Sequence, residues 1–263
     1  MLKHFRRWLR LDQLSLHENP VVFLHVPKTA GSSFTRALKA LYEEEEVFHQ
    51  MDPSALLSLM QEGQANYRLY IGHYDFSTVA KLPRKHQLLT FLREPEERLI
   101  SQYYYYLAQT DDIVANMAAY DQRIVELVRK YSFVDFISLE NPDIDQVYAN
   151  VQTRQLATYT DIPMPEKESS RNRLLATALK NIRKMAFVGV AERYQDSMAI
   201  FKSTFGLQLD IPTYLENVNA GRLHQEADRE IFAQSEVARR RVELDIQLYN
   251  SAKNRLEQKL QRL

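Results

Sequence analysis

The sequence contains no cysteine. That excludes a disulfide framework, a thiolate metal site and a cysteine nucleophile, and it leaves the redox compartment open. Net charge is also missing: Lys plus Arg and Asp plus Glu both total 34. No global field therefore draws the molecule to nucleic acid, and any anion site has to be local. No stretch approaches the roughly 20 apolar residues of a spanning helix, and the N-terminus lacks a signal peptide's apolar core. A soluble, cytoplasmic protein is the expectation. Nor is there a Gly/Ser/Pro-rich stretch or block of one charge sign to mark a linker, so 1–263 reads as a single domain.

What is present is an alternation. Short apolar runs, Val21 to Val26, Arg68 to Gly72, Gln87 to Leu92 and Ala186 to Val190, have the look of buried strands, and the segments between them carry helical periodicity. The fold class expected is α/β, a mainly parallel sheet flanked by helices, with any site at the strands' C-terminal ends. The stretches from Asp111 to about Leu139 and from Ile144 to Thr158 read as helical, a lobe beside the sheet. Val242, Ile246, Tyr249, Ala252, Leu256, Leu260 and Leu263 recur every three or four residues, a long C-terminal amphipathic helix. It is expected to pack on its own domain, with a homo-oligomer seam as the other reading. Residues 1–16 can form an amphipathic extension, with Leu2, Phe5, Trp8 and Leu9 opposite Lys3, Arg6, Arg7 and Arg10. Packing on the domain and peripheral membrane contact are both open for it.

The most informative segment is VVFLHVPKTAGSSF, a strand running through Pro27, Lys28, Thr29, Ala30, Gly31, Ser32 and Ser33 into a helix. Gly31 suits a tight turn, the first-turn N–H groups point at an anion, Ser32 and Ser33 add hydroxyls, and Lys28 adds a mobile charge. A loop that merely turns the chain and caps a helix is the bland alternative. Because Lys28 precedes the glycine, this is not the GxxxxGK[ST] loop of nucleotide triphosphatases. A second segment, TFLREPEERLISQYYYYL, places Arg93 at a strand end, Pro95 in a first helical turn and Ser101 two turns along. An arginine fork beside a hydroxyl suits a phosphate dianion, and an ion pair of Arg93 with Glu96 or Glu97 is the plainer reading.

VPKTAGSSF resembles the 5′-phosphosulfate loop of sulfotransferases that use 3′-phosphoadenosine 5′-phosphosulfate (PAPS), particularly the group containing heparan sulfate 2-O- and 6-O-sulfotransferases and bacterial relatives. TFLREPEERLIS is similar to that family's 3′-phosphate motif, with Glu94 where Asp is usual. The resemblance implies a P-loop-like fold and O-sulfuryl transfer from PAPS to a hydroxyl, of a carbohydrate at the family level, with no metal required. It implies that Lys28 to Ser33, Arg93 and Ser101 bind the donor. NVQTRQLA and FVGVAERYQDSMAIF, at Asn150 to Ala157 and Phe187 to Phe201, resemble stretches that recur in the same group.

In-line sulfuryl transfer needs alignment, charge stabilisation and a base for the acceptor hydroxyl. Lys28 is placed to stabilise charge on the leaving adenosine 3′,5′-bisphosphate. His73, in YIGHYDF at a strand end, can accept a proton near its ordinary pKa, and by resemblance it matches the family's histidine base. Asp75 is the substitute base or the group that orients His73. His25 reads as a packed or neighbouring residue; Arg154 reads as a helical surface arginine or one facing an acidic acceptor. Asn219, Gly221 and Arg222 form a polar loop that can close over the nucleotide. Two other function classes stay open: a Mg²⁺-dependent kinase or nucleotidase, and a non-catalytic nucleotide-binding assembly protein.

Overall fold

The computed structural model describes residues 16, 18–158, 164–165, 167–207 and 225–263, and the side chains of 225–227 are not among what it describes. The N-terminal amphipathic extension, apart from Leu16, and the loop with Asn219, Gly221 and Arg222 lie outside these residues.

Five strands form one sheet: β1 (Val21–Leu24), β2 (Val47–His49), β3 (Leu69–Gly72), β4 (Gln87–Leu92) and β5 (Phe187–Val190). Their order is β2-β3-β1-β4-β5 and every pair is parallel. β1, β3 and β5 are buried throughout, as strands covered on both faces must be. β2 was not among the strands expected. It is a three-residue edge strand, half-buried at each position, so it carries neither an apolar run nor an alternation.

α1 (Gly31–Lys39), α2 (Pro53–Gln61), α3 (Phe76–Val79) and α4 (Pro95–Leu107) follow β1 to β4 in turn. The helical lobe then comprises α5 (Asp111–Val114), α6 (Ala119–Lys130), α7 (Phe133–Ser138), α8 (Pro142–Tyr148) and α9 (Val151–Ala157). Its breaks are local chemistry: Ser132 caps α7, Asn141 caps α8 with Pro142 in its first turn, and Asn150 takes a left-handed turn at φ 47° before α9. α10 (Glu168–Lys184) leads to β5, followed by α11 (Tyr194–Phe205), α12 (Gln225–Gln234), α13 (Glu236–Arg240) and α14 (Glu243–Leu260).

Two apolar clusters form. One surrounds the sheet, where Phe34 of α1 meets Phe23, Phe91, Phe187 and Phe201 at ring separations of 4.8–5.6 Å. The other joins α4 to the lobe through Leu99, Tyr103, Phe133, Phe136 and Tyr148. α14 is the long C-terminal helix expected, and it packs on its own chain across both: Leu244, Leu248, Ala252 and Leu256 enter the sheet cluster, and Ile246, with Val242 just before the helix, meets the lobe cluster.

Candidate functional site

β1 sits between β3 and β4, and the chain goes first to one side of it, then to the other. The crevice beyond its C-terminal end is the topological switch point of the sheet. Leu24 pairs with Gly72 and with Thr90, so the segments leaving β1, β3 and β4 emerge together. They carry Lys28, His73 and Arg93.

The β1 exit is a loop of unusual backbone. Lys28 and Ala30 have φ of 68° and 66°, left-handed conformations that cost a residue with a Cβ about 1 kcal/mol or more each. Ala30 precedes α1, which has no side-chain cap. The N–H groups of its first turn, which have no acceptor within the helix, and the positive dipole end therefore face the loop. Thr29 is fully buried and donates its hydroxyl to the Val26 carbonyl at 2.8 Å, holding the loop closed. Ser33 is buried and Ser32 exposed. The tight turn expected at Gly31 is made by the two residues with positive φ, Lys28 and Ala30. What excludes a side chain at Gly31 is His25, since a Cβ there would lie 1.8 Å from the imidazole Nε2.

Lys28 places its ammonium 4.5 Å from the Tyr105 ring centre. Burial, then Arg93 and Arg98, lower its pKa to about 8. A cation crowded by two arginines marks a place that favours anions. Arg93 reaches across from β4, donating from Nη1 to the Lys28 carbonyl at 3.4 Å. Its guanidinium is flanked by Glu97 at 3.5 Å and Glu192 at 3.8 Å, so the carboxylate pairing foreseen for it is present, with Glu192 as an added partner. Glu97, Ser101 and Tyr105 recur every four residues along α4 and share a face. Glu97 meets Arg93 and Tyr105 meets Lys28, which puts half-buried Ser101 between them on the stripe facing the loop. In the tyrosine run, Tyr103 and Tyr106 are core and Tyr105 is exposed.

His73 is half-buried, and its Nδ1 lies 2.7 Å from the His25 carbonyl. A carbonyl only accepts, so Nδ1 carries the proton and Nε2 keeps its lone pair. The two imidazoles stand 4.8 Å apart. Burial pushes His73 below its ordinary pKa, partly opposed by its bond to His25. Burial, with His73, His49 and Lys28 nearby, lowers His25 to about 3. Both shifts favour the neutral ring. Asp75 is buried and caps α3, accepting the Thr78 N–H at 2.7 Å.

Arg154 is not the surface arginine expected. It is 2% exposed and donates to the main-chain carbonyls of Asp145 and Gln146 and to the Gln146 side chain, closing the α8–α9 junction from inside. Its neighbours Gln152 and Gln155 are instead the ones that touch the site. Gln152 bonds the Arg93 main chain in both directions, at 3.0 and 2.9 Å, and Gln155 donates to the carbonyls of His25 and Tyr74. Glu192 also accepts the Glu94 N–H and the Tyr249 hydroxyl. Sequence reasoning did not assign these roles. The available signal was a seven-residue helix, VQTRQLA, with four consecutive polar residues that are costly to bury without partners.

The profile of the sulfotransferase family matches residues 14–250. This chain belongs to the sulfotransferase family. It is 24% identical to human heparan-sulfate 6-O-sulfotransferase 1 over 302 aligned residues, covering 99% of this chain and 70% of that one. With the Cricetulus griseus protein of the same name the identity is 25%, covering 99% and 72%, and with the mouse protein 25%, covering 99% and 70%. A parallel sheet flanked by helices, with a strand-loop-helix anion cradle at its switch point, fits that membership. Among the described residues no helix is long and apolar enough to cross a membrane, and no group of three or more metal-ligating side chains is placed to hold an ion.

Proposed function

We propose that this sulfotransferase takes its sulfuryl group from PAPS and delivers it to a carbohydrate hydroxyl, with His73 as base and Lys28 as the cation at the leaving oxygen. The observation that carries the reading is the convergence of three strand exits on one loop. Arg93 donates to the Lys28 carbonyl from one side, and His73 is fixed to the His25 carbonyl on the other.

The donor would be held by chemistry already in place. The first-turn N–H groups of α1 and Lys28 suit the phosphosulfate, with Ser32 and Ser33 beside them. Arg93 and Ser101 suit a second, separate phosphate, and two such sites select a 3′-phosphorylated nucleotide over ATP. When bound, PAPS supplies an activated sulfuryl group on a good leaving oxygen. Lys28 stabilises negative charge at that oxygen, moving off the Tyr105 face to do so. His73 accepts the acceptor's proton at Nε2, while the His25 carbonyl keeps Nδ1 protonated and stabilises the imidazolium that forms. The heparan-sulfate relatives support a glycan as the acceptor.

The test is transfer of labelled sulfuryl from PAPS to a panel of heparan-type and other glycan oligosaccharides, with and without magnesium. His73→Ala is expected to lower turnover by about 10²–10⁴-fold with adenosine 3′,5′-bisphosphate binding retained. Undiminished turnover in that variant removes His73 as base, and a strict magnesium and ATP requirement replaces the reading with a kinase.

A further inference from the structure

Helix α9 buries four polar side chains in a row, Gln152, Thr153, Arg154 and Gln155, none more than 2% exposed. An unpaired buried amide costs about 1–3 kcal/mol, and both glutamine amides make hydrogen bonds, while Thr153 Oγ1 and Arg154 Nε make none in the same buried stretch. The two glutamines are three residues apart and share a helix face. Gln152 pairs with Arg93 as a neighbouring strand would, its Oε1 accepting the Arg93 N–H and its Nε2 donating to the Arg93 carbonyl. Gln155 directs one Nε2 to two carbonyls, His25 at 3.1 Å and Tyr74 at 2.8 Å. The first of these is the carbonyl that receives His73 Nδ1. One glutamine therefore holds the exit of β4, and the other ties the exits of β1 and β3.

The helix that carries them is itself anchored. Asp245 of α14 accepts the N–H groups of Gln152 and Thr153 at 3.2 and 2.7 Å. Asn150 in turn accepts those of Leu244 and Asp245 at 2.9 and 3.2 Å, and donates to the Arg240 carbonyl. Each helix start caps the other, so α9 cannot slide or rotate without breaking both caps.

We infer that Gln152 and Gln155 are positioning residues with separate duties, Gln152 fixing the arginine that reads the donor's 3′-phosphate and Gln155 fixing the carbonyl that orients the base. The inference rests on the reading of Arg93 and His73 given above. Gln152 makes both its bonds to one residue of the donor half. Gln155 makes its two bonds to the main chain beside His73, at the His25 carbonyl that receives its Nδ1 and at the adjoining Tyr74, and none to Arg93. A merely structural pair of glutamines on one short helix would disturb both halves together.

The experiment compares Gln152→Met and Gln155→Met, near-isosteric changes that remove the amide, with Arg93→Ala and His73→Ala as references. Calorimetry with adenosine 3′,5′-bisphosphate and with its 3′-dephospho analogue reads the donor half. Nitrogen NMR of the His73 ring, which reports which nitrogen is protonated, reads the base half. Gln152→Met is expected to lower the preference for the 3′-phosphorylated ligand about tenfold, or about 1.4 kcal/mol, with the His73 tautomer unchanged. Gln155→Met is expected to give a mixed His73 tautomer with nucleotide affinity within about twofold of the parent. If either methionine variant fails to fold, Gln152→Asn and Gln155→Asn keep the amide at shorter reach, each carrying the same expectation in milder form. Parallel loss of both readouts in each variant, or movement in neither, overturns the inference. If Arg93→Ala keeps the 3′-phosphate preference or His73→Ala keeps turnover, the functional reading itself fails, which is a different result.

Discussion

Substituting Gly31 by Ala tests how the loop after β1 and the histidines beside it are packed together. The backbone at Gly31 is the first residue of α1, and alanine is otherwise the better helix former by up to about 1 kcal/mol. The obstacle is steric. A Cβ would stand 1.8 Å from Nε2 and 1.9 Å from Cδ2 of His25. That ring has little room to retreat, being stacked on Phe23 at 5.3 Å with His73 at 4.8 Å. Overpacking of this kind costs about 1–3 kcal/mol, more than helix propensity returns at a first-turn position. A net loss of about 1–2 kcal/mol is expected from urea unfolding, read as a lower midpoint at unchanged slope. A displaced His25 also moves the carbonyl and ring beside His73, and a 1 Å misplacement of a catalytic group costs about 10²-fold in rate. The decisive arm is a double-mutant cycle with His25→Ala. Removing the ring opens the space, so Gly31→Ala should be nearly harmless in that background and the coupling should exceed about 1 kcal/mol. A Gly31→Ala protein as stable as its parent, or strictly additive changes, would refute the packing argument.

Other expectations follow from the charges around the loop. The pH profile of kcat/KM for the donor should be a bell. Its acid limb lies below pH 6.5, because burial lowers the pKa of His73, which must be neutral, and its alkaline limb lies near pH 8, where Lys28 loses its proton. In kcat the alkaline limb should move up, since a bound anion favours charged lysine; steady-state rates from pH 5 to 10 check both. Glu94 is pushed up to about 7, first by burial and then, against the backbone bonds that lower it, by Glu96 and Glu192. A raised carboxyl contributes stability that is full below the unfolded value, about 4.5, and lost as pH rises through 7. Glu94→Gln keeps an acceptor for the Glu97 N–H and should gain about 1–3 kcal/mol over the parent between pH 5 and 9; a gain that shrinks with rising pH would contradict this. Glu192→Gln should weaken binding of the 3′-phosphorylated nucleotide by about three- to tenfold, because Glu192 lies against Arg93 and is held by Tyr249; titration calorimetry checks it.

The strand runs were legible because a parallel strand buried on both faces leaves a continuous apolar string, as Val21 to Leu24 does. The strand-loop-helix segment from Val21 to Lys39 was legible because its strand, lysine, glycine and serines are consecutive. Other parts were written in contacts that sequence order hides. Gln152 and Arg93 are 59 residues apart and meet through an amide; nothing local distinguishes that glutamine from a solvated one. Arg154 looked like a surface residue because arginine usually is, and only its bonds to the Asp145 and Gln146 carbonyls and the Gln146 side chain in α8 explain its burial. The reason for Gly31 was hidden for the same cause, since the side chain it admits, His25, comes from the strand beneath it. β2 escaped notice because three half-buried residues at a sheet edge make no pattern.

The central claim is that Lys28, Arg93 and their loop bind a nucleotide bearing phosphates at both 3′ and 5′ positions. Titration calorimetry with adenosine 3′,5′-bisphosphate, its 3′-dephospho analogue and ATP, each with magnesium and with a chelator, tests it most directly. Tight, metal-independent binding of the first, at least about tenfold stronger than of the others and abolished by Arg93→Ala, is the result expected. Preference for magnesium-ATP, or equal affinity with and without the 3′-phosphate, would contradict the account.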